Sequence, residues 1–458
     1  MKIAGLNPFR RSRRLSEQPG PFTDDRYRGP LPEACDVAVL GGGIAGLTAA
    51  IELAKRGQKV VLLEKGRLGA EQTSRALGWA ASLGDDGLRL PLSLRSKALW
   101  RDYQQNYGVD TSYRASGLVI LCSAPDEMDM MQSWRDMAAG HGDVDARPLS
   151  LAQITQHMPA MQIPGLVGAW AQPSDACVAP EKVAPTLALI AAGLGVRIIE
   201  NCAALGLDLS AGRVSGLQTE AGGIRTGAAL VAGGAWSRRF LRQHGVGISQ
   251  LPISSSLFRT QPMSTTLPST GATGSFGWTR RDDGSLTFGS NSGVASITTD
   301  SLRLLRQFLP ALRKDHGTLS LRLDADFFTS VCDELAGPRA RQAAYTESRI
   351  LGAVPDMHAA ERALLALRRE LPDFADARIE TAWAGVIDAT PDKAPIIGET
   401  GLPGLFVSTG FSAHGLAMAP AAAEIVAMQI TGKTVSGAAN YSNNRFARAA
   451  ARRRHMAL

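Results

Sequence analysis

Gly41, Gly43 and Gly46 form a G-x-G-x-x-G run, and Glu64 follows 18 residues after the last of them. These types at this spacing suit one task, the holding of a dinucleotide. Gly41 permits a tight turn, Gly43 lets the backbone approach a pyrophosphate, and Gly46 lets a helix pack closely on a strand. A helix opening at Ile44 and Ala45 presents free N–H groups and a positive dipole end to the phosphates. Glu64, with Lys65 beside it, supplies a carboxylate that accepts hydrogen bonds from ribose hydroxyls and repels a 2′-phosphate. A glycine pattern alone is weak evidence. Here a strand (Cys35–Leu40), the glycines, a helix (Leu47–Arg56), a stop at Gly57 and a second strand (Lys59–Leu63) are all in register.

The elements that must position this turn recur along the chain. After it come a helix near Pro180–Leu194, the strand Val196–Glu200, a hairpin and the apolar strand Ala228–Ala232. Near the end stand the strand Leu405–Ser408 and the helix Ala419–Ile430. Between these pieces the pattern turns to short strands (Ser116–Cys122, and 250–292 with a turn at Asp282-Asp283-Gly284) and to helices at Thr298–Leu312 and His358–Glu370. The layout predicts an α/β protein in which a Rossmann-type domain (33–110, 165–248 and 376–436) is interleaved with a mixed-sheet α+β substrate domain (111–164 and 249–375). A flexible arm (1–32) and a basic tail (437–458) flank them.

Composition narrows the class. The 458 residues are 45% hydrophobic and 20% charged, an ordinary globular balance, and no apolar run is long enough to cross a membrane. The first 25 residues carry Arg10, Arg11, Arg13 and Arg14 with no apolar core behind them, which argues against an export signal and for a cytoplasmic location. Five single cysteines without a Cys-x-x-Cys pair indicate neither a metal site nor a disulfide framework. The net charge of +7 concentrates in the two ends (Arg10–Arg14 and Arg445–Arg454), which read as solvated tails or as peripheral contacts with an anionic inner membrane face. No nucleic-acid motif accompanies the charge, so no nucleic-acid partner is expected.

Further segments decide which dinucleotide. Glu71-Gln72-Thr73-Ser74-Arg75 follows the second strand, and Gly233 and Trp236 follow the apolar strand at Ala228. Trp383–Asp392 contains Gly385 and a Thr-Pro-Asp, Pro395–Gly398 comes next, and Ser408–Ala417 opens the last helix. On these stretches the chain resembles the FAD-dependent amino-acid oxidase and dehydrogenase superfamily from about residue 30 to 445. Glu64–Arg75, Gly29-Pro-Leu-Pro and Asp110–Arg114 look like the bacterial L-amino-acid deaminases. Those begin with a hydrophobic membrane anchor that is not seen here.

The resemblance implies FAD as cofactor, held through its ADP half by Gly41, Gly43, Gly46 and Glu64. Gln72, Thr73 and Ser74, with Arg75, would line the pyrophosphate and the flavin edge, and Ala203, Gly233 and Trp236 would add to the nucleotide site. Gly410, Phe411, Ser412, His414, Gly415, Leu416 and Ala417 would wrap the isoalloxazine. Some relatives attach the flavin through a cysteine at the place of Gly385, so here the FAD is expected to be non-covalent. His414, alone in an apolar loop, reads as a packing or hydrogen-bonding residue and not as a proton shuttle.

The activity implied is oxidation of an amino acid by hydride transfer to flavin N5, giving an imine that hydrolyses to a 2-keto acid and ammonia. Oxygen or a membrane quinone would take the electrons. A secondary amine or a 2-hydroxy acid is the alternative substrate. Such chemistry needs positioning above all, and a cation for the α-carboxylate. Many relatives place an arginine four residues before the Asp-Gly of the substrate-domain hairpin, where this chain has Thr279. Three readings are open: Arg280 takes the role through a small shift, Arg259, the lone charge in an otherwise neutral stretch, reaches in from a neighbouring strand, or the substrate is not a simple α-amino acid; Arg259 is favoured, because a charge there is costly unless paired or functional. Trp79 and Trp278 are candidate walls of the pocket, with a plain core role equally open for Trp278.

Overall fold

A computed structural model of the chain describes residues 25–447 except 160, 291, 315 and 316. The arginines at 10, 11, 13 and 14 and residues 448–458 lie outside the described part. Val37–Leu40 and Val60–Leu63 pair in parallel, Val37 opposite Val60 and Leu40 opposite Leu63. They form the middle of a six-stranded sheet in the order 396–399, 405–409, 228–231, 37–40, 60–63, 197–199. Only the edge pair Ile396–Glu399 and Leu405–Thr409 is antiparallel.

Both faces of this sheet are covered, which is why its strands read as unbroken apolar runs. Val37 and Val39 meet a layer that includes the helices Ile44–Ala54, Pro180–Gly193 and Gly415–Ile430. Ala38 and Leu40 meet an antiparallel meander, Ala204–Ser210, Arg213–Thr219 and Gly222–Arg225.

The last helix starts at Gly415, four residues before the start expected from sequence. Pro420 then lies inside the helix, where proline lacks the N–H that an interior position donates. Inside this helix the carbonyl freed four residues back, that of Leu416, accepts the Trp100 indole N–H at 2.8 Å. A long-range partner thus satisfies the freed carbonyl, and the helix begins at the loop that reaches the cleft.

The second sheet is mixed and ten-stranded. Its spine is the antiparallel pair Leu251–Thr260 and Ile379–Ala389, in register from Leu251 opposite Ala389 to Arg259 opposite Thr381. Two segments that the sequence layout groups with the dinucleotide domain, Gly168–Gln172 and Ile379–Ala389, run in this sheet. One face rests on the helix Met357–Glu370: Phe258, Trp278 and Phe288 pack with Ala359, Ala363 and Leu367. The opposite face turns toward the first domain. Gly385 lies on it, and a β-carbon there would fall 2.1 Å from Gln72 Oε1.

Arg445, expected in a solvated tail, forks onto Asp392 instead, with Nε–Oδ2 at 2.7 Å and Nη2–Oδ1 at 2.9 Å. The pair ties the end of the described chain to the Thr-Pro-Asp loop.

The glycine turn leaves no room for side chains at Gly41 and Gly46. A β-carbon on Gly46 would lie 1.9 Å from the Gly41 carbonyl oxygen, and Gly41 itself has φ +117°. Gly46→Ala is therefore expected to cost at least ~1–3 kcal/mol as the helix is pushed off the strand. Thermal melting together with the flavin-to-protein ratio of the purified variant checks this, and an unchanged ratio and Tm would contradict it.

Candidate functional site

The carboxyl ends of the parallel strands open into a cleft of about 1230 Å³. Gly41, Gly43, Ile44 and Ala45 line its floor. A β-carbon on Gly43 would meet only the Thr73 hydroxyl, at 3.2 Å, so its absence leaves space facing the cleft. Thr73 Oγ1 accepts the Ile44 N–H at 3.0 Å, at the first residue of the helix. Gly46 lies behind the turn and acts through packing.

Glu64 is held by two backbone amides. Its Oε2 accepts from Gly42 N at 2.6 Å and its Oε1 from Gly66 N at 2.7 Å. Burial pushes its carboxyl up to about 7, opposed by these two hydrogen bonds. Lys65 lies over the Trp236 ring, 2.9 Å from the centroid, and 4.3 Å from that of Tyr345. Burial pushes its ammonium down to about 7. Glu71, also raised by burial, accepts from Leu351 N at 2.7 Å and from the Trp236 indole at 3.3 Å.

Glu71, Tyr345, Arg349 and Leu351 line the cleft and were missed from sequence. Glu71 stands beside the expected Gln72 and was legible. Tyr345, Arg349 and Leu351 come from a segment some 280 residues away, brought in by tertiary pairing: Arg349 forks onto Glu220 and donates to the Lys65 carbonyl.

Gln72 and Gly233 line the cleft as well, with Ala204 in place of the expected Ala203. The Ala203 amide is spent on Glu220 at 2.8 Å. Ser74 and Arg75 stand behind the wall. Ser74 Oγ donates to Glu71 O at 3.4 Å, and Arg75 donates to the Ala384 carbonyl at 3.0 Å.

At the far end, Phe411, Ala413, Gly415 and Leu416 reach the cleft. Gly410, Ser412, His414 and Ala417 shape the loop behind them. Gly410, Ser412 and Ala413 all have positive φ (+76°, +50° and +72°), and two of these are not glycine. Such a run costs energy and persists only when over-determined by its surroundings. Asp388, also missed from sequence, is the main reason it persists. Its buried carboxylate accepts from Gly410 N at 2.6 Å and from the Thr409 hydroxyl at 3.1 Å. His414 is a tether: Nδ1–H donates to the Ser412 carbonyl at 2.7 Å and Nε2 accepts from Arg89 at 3.3 Å. Burial, then the Arg89 charge, push it down to about 4, so it is neutral at physiological pH.

The expected substrate residues separate onto two faces of the large sheet. Trp278 belongs to the core: fully buried among Phe276 and Phe288, it donates to the Pro268 carbonyl at 3.1 Å. Arg280, two positions on, shares that face and donates to the Thr265 carbonyl at 3.2 Å. Period-two alternation turns both away from the cofactor side. Trp79 lies on the cofactor side, its ring where a Gly277 β-carbon would be, and its indole donates to Trp278 O at 3.1 Å. Arg259 is on the cofactor side too, but it is already paired with Asp283 and with Ser285 Oγ.

The model of the DAO family, FAD-dependent oxidoreductases, matches residues 36–429. The chain belongs to this family. It is 25% identical to the glycine oxidase of Geobacillus kaustophilus over 401 residues, 86% of this chain and 92% of that one. To the human mitochondrial sarcosine dehydrogenase it is 29% identical over 227 residues, so the match spans about a quarter (24%) of that protein. The structure of the L-amino acid deaminase from Proteus myxofaciens in complex with anthranilate superimposes with a TM-score of 0.87 at 30% identity, covering 92% of this chain and 95% of that one.

FAD is thus the cofactor, and the cleft fits it. Gln72 Oε1 is buried without a hydrogen-bond partner, Gly43 leaves space facing the cleft, and Glu64, pinned by two backbone amides, lines it. Among the described residues no helix is long and apolar enough to cross a membrane, and no cluster suited to a metal ion is found.

Two outcomes follow for cofactor binding. Gly385 offers no thiol, so acid or heat denaturation is expected to release all the flavin into the supernatant. Ionised Glu64 is the stronger acceptor for ribose hydroxyls, because a charged acceptor makes the stronger hydrogen bond. FAD affinity should then rise with pH up to about 7 and level off above it, falling by as much as tenfold per unit below. Lys65 titrates over the same range, so Glu64→Gln is the control. FAD titrations of the stripped protein between pH 5 and 9 test this, and an inflection unchanged in Glu64→Gln would assign it to another group.

Proposed function

We propose that the protein oxidises an α-amino acid at its C–N bond, giving an imine that hydrolyses to a 2-keto acid and ammonia. One observation carries the reading: the cofactor-side face of the large sheet is arranged in rows of graded polarity. Gly385 and Ser255 share the row against Gln72. In the next row Trp383 lies opposite Leu257, a Gly289 β-carbon would touch Leu257, Gly289 pairs with Gly277, and Trp79 covers Gly277. The third row is polar, with Thr381, Arg259, Thr287 and Thr279. Rows are about 6.7 Å apart. A small molecule spanning them meets the cofactor edge, then an apolar floor, then hydroxyls and cations.

Bound FAD supplies the hydride acceptor. The protein orients the substrate: the apolar row takes the Cα region, excludes water and favours the uncharged amine, while the polar row takes the carboxylate. Trp383 is fixed in this role by its indole N–H, which donates to the Arg75 carbonyl at 3.1 Å. Neutral, tethered His414 holds the cofactor loop and carries no proton in this scheme.

The match to sarcosine dehydrogenase and glycine oxidase supports a second reading, a small secondary amine such as an N-methyl amino acid. Anaerobic addition of individual D- and L-amino acids, N-methyl amino acids and 2-hydroxy acids to the yellow protein separates the two. Bleaching of the visible band by primary amino acids, with ammonia released on turnover, is expected. Bleaching by N-methyl or hydroxy substrates alone would overturn the first reading. Re-oxidation with air and with a quinone analogue then reports the acceptor.

A further inference from the structure

We infer that residues 345–351 form a strap over the nucleotide end of the cleft, one that must swing aside for FAD to enter or leave. The strap concerns the cofactor alone and holds for any substrate. Tyr345, Arg349 and Leu351 line the cleft together with the glycine turn and Glu64. Each is tied to the wall by a polar contact. Lys65 Nζ donates to the Tyr345 carbonyl at 3.2 Å and stands against the rings of Tyr345 and Trp236, which meet edge to face at 5.6 Å. Arg349 forks onto Glu220 at 2.5 and 2.6 Å and donates to the Lys65 carbonyl at 2.9 Å. The Leu351 amide donates to Glu71 Oε1 at 2.7 Å, and its carbonyl accepts from Arg75 at 3.4 Å. The strap thus spans the wall segment 65–75 from end to end.

What carries the strap is held by charge more than by a core. It leaves the helix Pro338–Glu347, which follows the helices Thr299–Lys314 and Ala325–Leu335. Among the described residues, Thr299–Lys314 buries Leu304 and Phe308 alone, and Ala325–Leu335 buries none. Their docking onto the helix Ser237–Arg242, directly after Trp236, is ionic. Arg238 forks onto Asp300 at 2.8 and 2.9 Å, Arg242 reaches Asp300 at 3.2 Å, and Arg239 reaches Asp333 at 3.3 Å. The Arg349 and Glu220 side chains are 36% and 25% exposed, so solvent reaches that lock as well. β-Carbons on Gly337 and Gly352, which bracket the segment, would meet nothing within 4 Å, so both ends have space to turn. Segments with few buried apolar contacts and solvent-reached hydrogen bonds open at low cost, and lids are drawn from them. The glycine turn cannot give way, because Gly46 is packed against the Gly41 carbonyl. The strap is therefore the movable part of this end.

FAD release from the loaded protein and FAD uptake by the stripped protein, both followed by flavin fluorescence, test the strap. Opening precedes both, so weakening the lock speeds both. Glu220→Gln keeps an acceptor for the Ala203 amide, and Glu220 does not line the cleft. This variant should raise each rate about 3- to 10-fold and leave Kd nearly unchanged. Raising NaCl from ~0.05 to ~1 M should speed release from the wild-type protein, and less so from Glu220→Gln. A merely structural role predicts a lower Tm with no gain in uptake rate.

A cross-link tests the opening directly. A β-carbon on Gly66 would lie 3.6 Å from that of Arg349, within the ~3.5–4.5 Å that a disulfide spans. Gly66→Cys with Arg349→Cys is made in a Cys202→Ala background, because the Cys202 thiol lies close enough to Arg349 to compete. Oxidised after loading, with the bridge confirmed by peptide mapping, it should release FAD at least ~10-fold more slowly than after reduction. Oxidised before loading, it should take FAD up correspondingly slowly. Arg349→Cys alone should ignore the oxidant. Equal release from bridged and reduced protein would overturn the strap. So would faster release in Glu220→Gln with unchanged uptake, which would make the ion pair a contributor to binding and not a gate. Should the bridge not form, the Glu220→Gln rates decide by themselves. None of these readouts uses a substrate, so their failure leaves the proposed oxidation standing.

Discussion

The sharpest steric limit at any described glycine is set by backbone: a β-carbon on Gly46 would stand 1.9 Å from the Gly41 carbonyl oxygen. The glycine-turn end of the cleft depends on it. The contact sets how near the Ile44–Ala54 helix comes to the first strand, and hence where the helix's unpaired N–H groups point. It also lets the turn hand its next amide, Gly42 N, to Glu64. One steric limit thus places both the helix N-terminus expected to face phosphate and the carboxylate expected to meet the ribose.

Around that turn the protein buries charge that it only partly compensates. Glu64 and Glu71 are raised by burial and Lys65 is lowered, all within one end of the cleft. Their partners are backbone amides and aromatic faces more than opposite charges, an arrangement suited to groups that await a polar ligand. The opposite end carries a different stress, three positive-φ residues in four, held by the Asp388 carboxylate and the His414 tether. Strain at one end and desolvated charge at the other mark where binding energy is taken up.

Much of this was legible in residue order. The glycine turn, both strands, the acid and the apolar strand at Ala228 follow from local pattern, because a βαβ unit needs particular residues at particular backbone positions. Gln72, Thr73, Trp236 and Phe411 stood in recognisable stretches and do line the cleft. Asp388 lay inside such a stretch unremarked, since a carboxylate's role as a backbone acceptor is not encoded by spacing. Tyr345, Arg349 and Leu351 gave no local signal. They reach the nucleotide end through Arg349–Glu220 and Leu351–Glu71, contacts between segments far apart in sequence.

The substrate side shows where local reading stops. Sequence alone determined that this is a dinucleotide-binding α/β chain, and resemblance narrowed it to FAD. Those conclusions rest on backbone geometry, which constrains residue type directly. Sequence also placed several arginines near one hairpin, and only the tertiary structure sorted them by face and partner. Strand register put Trp278 on the helix-covered face, while side-chain pairing engaged Arg259 with Asp283 and Arg281 with Thr287. Side chains in a strand change face with every residue, and which face meets the cofactor is fixed by what the sheet packs against. That information lies in the fold as a whole.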